Sequence, residues 1–304
     1  MSGLQPLRMN LLQSLQTSPP NLDHVLPGLL TGTLGTLIAP GGLGKTMLLT
    51  QIGCAMAAGV PVLEGGLQMP SSPAAKVVLF LAEESAAVMH HRIQGAVAAL
   101  LRSMGTVSRE QRLELAEKLD TNLHIYPLCG YADLARIDAG AKSFRHIVEL
   151  CAGARLVVFD PLRRFHDGDE NDSATMTTLV NRFQALARET NAAVILAHHA
   201  NRTSTASETG NLSSASRGSS ALTDGVRWQA NLSLPKAGKK IEGIIVQEGE
   251  ASHLVRLDIS KTNYSRPPLP VLLRKNEENG ALSPWPAPVK TSKSSPRPAR
   301  TEAK

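Results

Sequence analysis

The stretch Ala39-Pro40-Gly41-Gly42-Leu43-Gly44-Lys45-Thr46 decides how the rest of the chain is read. Before it stands Leu34-Gly35-Thr36-Leu37-Ile38, an apolar run that reads as a buried strand, and after it an apolar helix runs from Lys45 to about Ala58. Strand, glycine loop and helix in that order converge backbone N–H groups and a helix N-terminus on one spot, which suits phosphate. The expected nucleotide contacts are Gly41, Gly42, Leu43, Gly44, Lys45, Thr46 and Met47. Lys45 adds a point charge and Thr46 an oxygen for Mg2+, so ATP and Mg2+ are the expected cofactors. The strict pattern begins with glycine, and Ala39 stands there instead. The competing reading, a glycine turn ahead of a core helix, is disfavoured by the strand before and the helix after.

Working outward, Lys76-Val77-Val78-Leu79-Phe80-Leu81 reads as a second buried strand ending at Ala82-Glu83-Glu84, followed by a helix over 86–103. Val157-Val158-Phe159-Asp160 and Ala193 to His199 repeat the pattern, with a helix over 174–190 between them. Strands alternating with helices predict an α/β fold with a doubly wound, mostly parallel sheet, whose ligands gather beyond the carboxyl ends of the strands. Val226 to Leu234, Ile244 to Gln247 and Leu254 to Ile259 have strand patterns that extend this sheet antiparallel. The expected organisation is an N-terminal arm at 1–24, an ATPase domain at 25–275, and a basic tail at 276–304.

At those strand ends sit the residues that could do chemistry. Asp160 ends an apolar strand, where a carboxylate serves Mg2+ through water; the competing reading is a surface aspartate in a turn before Pro161. Hydrolysis also needs a group to orient or deprotonate water. The chain reads Asp160-Pro161 rather than Asp-Glu, so a base directly after the aspartate is absent, and Glu83, or Glu84 beside it, takes that place from another strand. This separation points to the RecA-like branch. Otherwise the two glutamates are a solvated helix start. Adjacent histidines, His90-His91 and His198-His199, diverge on one element and make poor zinc pairs; those at 198–199 suit a polar sensor between γ-phosphate and the loop that follows. Asp167 to Asp172 is expected to be an exposed acidic loop, since the turn glycine and the twelfth-position glutamate of a calcium loop are replaced by Asp172 and Thr178.

The composition narrows the classes further. Of 304 residues, 42% are hydrophobic, enough for one sizeable core, and 3% are aromatic, which disfavours nucleic-acid binding on a stacked aromatic platform. The net charge of +6 is concentrated in the last residues, where Lys290, Lys293, Arg297, Arg300 and Lys304 face only Glu302. Three scattered cysteines fit reduced thiols, and neither a signal segment nor a membrane span is evident, so the expectation is a cytoplasmic protein without membrane contact.

Taken together, the motifs at 39–46, Leu81-Ala82-Glu83-Glu84, His90-His91-Arg92-Ile93, 157–166, His198 to Arg202, Ser216 to Leu222 and Val226-Arg227-Trp228-Gln229 occur in order. Between about Leu22 and Tyr264 the chain resembles the RepA-type replicative helicases of IncQ plasmids, small hexameric RecA/DnaB-like motors. The resemblance implies that Glu83 is the catalytic base, Asp160 the magnesium-site aspartate and His199 the γ-phosphate sensor. It implies that Arg227 is an arginine finger given to a neighbour's ATP, with Lys261 a weaker candidate and a surface arginine beside Trp228 the competing reading. Arg202, Thr203 and Ser204 would open a DNA-binding loop at 201–216, unless that segment is only a linker. The implied partners are single-stranded DNA, five further copies in a homo-hexamer, and a plasmid primase or initiator. A RecA-fold recombination or phage ATPase that remodels nucleoprotein, and a slow nucleotide-dependent switch, are the alternatives.

Overall fold

A short antiparallel hairpin, β1 (His24–Leu26) and β2 (Leu29–Leu30), leads into the first central strand, β3 (Leu34–Ala39). The computed structural model describes residues 8–67, 72–200 and 220–286. After β3 come β4 (Val77–Leu81), β5 (Leu123–Pro127), β6 (Leu156–Asp160), β7 (Ala193–His199) and β8 (Trp228–Ser233). A small separate hairpin joins β9 (Lys240–Ile241) to β10 (Ile244–Ile245), and β11 (Leu254–Thr262), β12 (Val271–Lys275) and β13 (Leu282–Pro284) complete the set. The main sheet has nine strands in the order β13-β12-β11-β8-β3-β7-β6-β4-β5. From β5 to β8 every pair is parallel; β11, β12 and β13 then add on antiparallel.

The apolar runs are continuous because the sheet is buried on both faces. Val77, Leu79 and Leu81 of β4, Leu156 and Val158 of β6, and Ala193, Ile195 and Ala197 of β7 enter one core. Their alternating neighbours Val78, Phe80, Val157, Phe159, Val194 and Leu196 enter the other. On the first face lie α2 (Lys45–Ala58), α3 (Ala86–Met104) and α4 (Arg109–Asn122); on the second lie α5 (Ala141–Cys151) and α6 (Ser173–Thr190). Helix α1 (Leu11–Gln16) precedes the hairpin and buries none of its residues. Every residue of α2 except Thr46 is buried, because sheet and helices surround it. The second core centres on Phe159, whose ring stacks on Phe80 at 4.9 Å and meets Phe165 and Phe183 edge-on at 5.1 and 5.0 Å.

Several expectations are adjusted. Trp228–Ser233 is still parallel to β3, so the antiparallel extension starts only at β11, and the predicted strand at 244–247 forms β10 in the separate hairpin. Strand β13 lies at 282–284, within the segment expected to be tail, and pairs with β12. Elements β5, α4 and α5 were not foreseen; β5 is only half-buried along its length, so its apolar signal is weak. Among the described residues no helix is long and apolar enough to cross a membrane.

Candidate nucleotide site

Strand parity determines which side chains face the glycine loop. Asp160 continues the series Leu156, Val158 and therefore points to the face carrying α2; it is buried, and the Thr46 hydroxyl donates to its Oδ2 at 2.6 Å. Burial pushes the Asp160 carboxyl above the usual carboxylate range; the Thr46 hydrogen bond and the Lys45 charge pull it down, while Glu83 and Glu84 add to the rise. A hydroxyl and a buried carboxylate with further carboxylates nearby form an oxygen donor set that suits Mg2+ alongside nucleotide phosphates.

The loop itself is shaped for close approach. Gly42 and Gly44 have φ of 80° and 94°, and a Cβ on Gly41 or Gly42 would meet nothing within 4 Å, so these glycines leave room in front of the backbone rather than packing against the protein. Lys45, buried to 7% exposure, extends back over the loop and donates to the carbonyls of Ala39 at 3.1 Å and Pro40 at 3.4 Å. Its Nζ lies 3.5 Å from Nδ1 of His199. Leu43 packs partly buried on the first core, and Met47, the third residue of α2, is buried.

His199 continues the series Ala193, Ile195, Ala197 and stands level with Ala39, so it faces the loop. His198 has the opposite parity and is buried on the other face, where Glu170 Oε1 lies 3.8 Å from it and 3.5 Å from Nε2 of buried His166. The expectation of an exposed acidic loop at 167–172 is therefore corrected at Glu170, which turns inward between two imidazoles; Asp167, Asp169, Asn171 and Asp172 remain exposed.

Glu83 and Glu84 separate clearly. The Arg92 guanidinium donates to Glu84 at 2.6 Å, and both side chains are largely shielded, which accounts for Arg92 as an intrachain partner. Glu83 is half exposed beyond the end of β4 and, among the described residues, forms an ion pair with Arg164 at 3.5 Å. Arg164 follows the Asp160 strand and had no role in the sequence reading.

Arg227 is exposed, and its N–H donates to the Leu34 carbonyl, at the opposite end of β3 from the glycine loop. The length of β3 puts about 16 Å between the two ends. Lys261 lies next to it on β11, level with Gln229, and donates to the Thr223 carbonyl at 2.6 Å. Arg202, Thr203 and Ser204 lie outside the described residues. Ala200, the last described residue before them, donates its N–H to the Ala39 carbonyl at the start of the loop.

A family model described as an AAA domain matches residues 4–205, about two-thirds of the chain. The chain belongs to the AAA-domain family. Two solved structures share its fold. One, described as "ATPase Domain of G40P", is 16% identical with a TM-score of 0.54 and covers 90% of this chain and 95% of its own. The other, "The Structure Of A DnaB-Like Replicative Helicase And Its Interactions With Primase", is 15% identical with a TM-score of 0.53 and covers 92% of this chain and 67% of its own. The fold is thus that of a RecA-like P-loop ATPase domain.

One residue at the site escaped the sequence reading altogether. Lys275, the last residue of β12, donates to the Gly42 carbonyl at 3.2 Å across 233 positions of sequence. No local motif marks it; only the antiparallel return of β11 and β12 brings it to the loop.

Proposed function

We propose that this chain is the motor subunit of a homo-hexameric helicase that hydrolyses ATP to translocate on single-stranded DNA during plasmid replication. The observation that carries the reading is the separation of Arg227 from its own glycine loop. An arginine serving γ-phosphate must come within hydrogen-bond reach, and Arg227 stands at the far end of β3. It acts only if the next subunit presents it, which is the logic of a ring. Met9, Leu11, Leu12 and Leu15 on and beside α1, exposed among the described residues, support the same reading, since such an apolar face suits a neighbouring copy. The likeness to a DnaB-like replicative helicase solved for its interactions with primase supports DNA and a primase or initiator as partners.

In this reading Lys45 and the loop amides hold the phosphates, Thr46 and Asp160 hold Mg2+, Glu83 orients and deprotonates the attacking water, and His199 senses the γ-phosphate. Bound Mg2+ would neutralise charge developing on the phosphates. The half-exposed Glu83 is free to turn from Arg164 toward the attacking water, whereas Glu84 is committed to Arg92. The segment at 201–216, which follows His199 and Ala200 in sequence, would provide hydroxyls and amides to grip DNA phosphates without sequence preference.

The deciding experiment is ATP-dependent displacement of one strand from a forked duplex, with Glu83→Gln as the control in which displacement disappears. DNA-stimulated hydrolysis without displacement would remove the helicase reading while leaving the ATPase intact. Sedimentation with nucleotide tests the ring, for which six subunits are expected.

A further inference from the structure

Asp160 and His199 end β6 and β7 and Glu83 follows β4, all on one side of β3 in the sheet. The γ end of a bound nucleotide belongs with those groups, because that is where the scissile bond lies. The nucleoside end is then turned toward the other side, where β8, β11, β12 and β13 run. Two antiparallel steps from β8 make β12 parallel to β3, so its last residue, Lys275, emerges on the same rim as the glycine loop.

Lys275 is held there by a braced hairpin. Gln51 of α2 binds Leu282 twice: its Nε2 donates to the carbonyl at 2.8 Å and its Oε1 accepts the N–H at 2.8 Å. The Leu282 methyls lie against Gly44, and Asn279 lies against Gly95 of α3. Asn276 caps the turn by accepting the N–H groups of Glu278 and Asn279. Glu277 lies 3.0 Å from His253, and the Lys275 Nζ donates to the Gly42 carbonyl. A lone carbonyl is a weak partner for an ammonium compared with a phosphate oxygen. The whole hairpin lies beyond residue 205, where the family match ends.

We propose that Lys275 is a nucleotide ligand supplied by the C-terminal hairpin, its ammonium passing from the Gly42 carbonyl to a phosphate oxygen on the nucleoside side of the triphosphate. This rests on the reading of Ala39 to Thr46 as the nucleotide loop. Because the contact lies away from the γ-phosphate, it serves ADP and ATP alike. The hairpin thereby registers whether the site is filled, independently of hydrolysis.

The test is equilibrium binding, by fluorescence titration or calorimetry, of ADP and of a non-hydrolysable ATP analogue with Mg2+ to the full chain. Lys275→Met keeps the apolar stem, and its thermal midpoint checks folding. We expect both nucleotides to bind about tenfold more weakly to Lys275→Met, with Lys275→Arg recovering most of the loss. We further expect nucleotide to slow amide exchange over 276–281 in the wild type and not in Lys275→Met. Unchanged affinity for both nucleotides in Lys275→Met overturns the proposal, as does a loss confined to the ATP analogue, which would place the lysine at the γ end. A wild-type chain that binds neither nucleotide overturns the loop reading as well, and so is distinguishable from failure of Lys275 alone.

Discussion

His198 and His199 are chemically identical and adjacent, yet the alternation of β7 gives them opposite environments: one faces Lys45 across the glycine loop and the other is buried beside Glu170. Removal of a polar group aimed at developing phosphate charge costs about 100-fold in turnover. His199→Ala should therefore cut steady-state hydrolysis at saturating ATP by about that factor while the thermal midpoint stays near wild type. His198→Ala should show the reverse balance, a lower midpoint with a smaller effect on turnover, since it leaves Glu170 in the interior with one imidazole fewer. Equal effects from both variants would contradict the assignment by parity. The same reasoning separates Glu83 from Glu84: the sequence presents them side by side, and only the Arg92 contact shows which is already committed.

At the scale of elements, the segment after the Asp160 strand is tied to the segment before α5. Ile137 N–H donates to the Phe165 carbonyl, and the Asp138 carboxylate accepts the Asp167 N–H at 2.9 Å and the Arg136 guanidinium at 3.1 Å. Burial pushes the Asp138 carboxyl up, but the Asp167 amide and Arg136 outweigh it and hold the group below its ordinary range. A lowered native pKa stabilises the fold above the unfolded value of about 3.9 and loses that contribution as pH falls through the native value. Asp138→Asn should thus unfold about 1 kcal/mol more easily in urea at pH 7, with the gap to wild type closing as pH is lowered below about 4. In the core between sheet and α6, Phe159→Ala removes a ring that contacts three others, and chemical denaturation should report a loss of about 3–5 kcal/mol. The strands that surround this ring were legible as apolar runs. The edge strand β5 was not, because one-sided contact leaves it half-buried and only β4 shows where it pairs.

At the scale of the whole molecule, the glycine loop and Arg227 occupy opposite ends of β3, so under the proposed function a complete site would draw on two copies. This is testable by mixing. Lys45→Ala and Arg227→Ala chains should each hydrolyse little ATP alone, a trans arginine being worth about 10³–10⁵ in rate. Mixed together, they should regain partial activity, because some interfaces then pair an intact loop with an intact arginine. Failure of the mixture to recover, with both chains assembling normally, would argue that Arg227 acts within its own subunit or not at all.

The amino-acid sequence by itself determined the glycine loop, the parallel strands with polar residues at their carboxyl ends, and Asp160, Glu83 and His199 as the groups worth watching, because phosphate binding and strand periodicity are local patterns. Tertiary structure alone decided that Glu170 turns inward, that Arg92 belongs to Glu84, that Arg227 stands far from its own loop, and that Lys275 reaches Gly42. Those relations depend on which strands neighbour which and in what direction. Strand order is set by burying both faces of one sheet, a requirement on the whole chain that no short stretch of residues encodes.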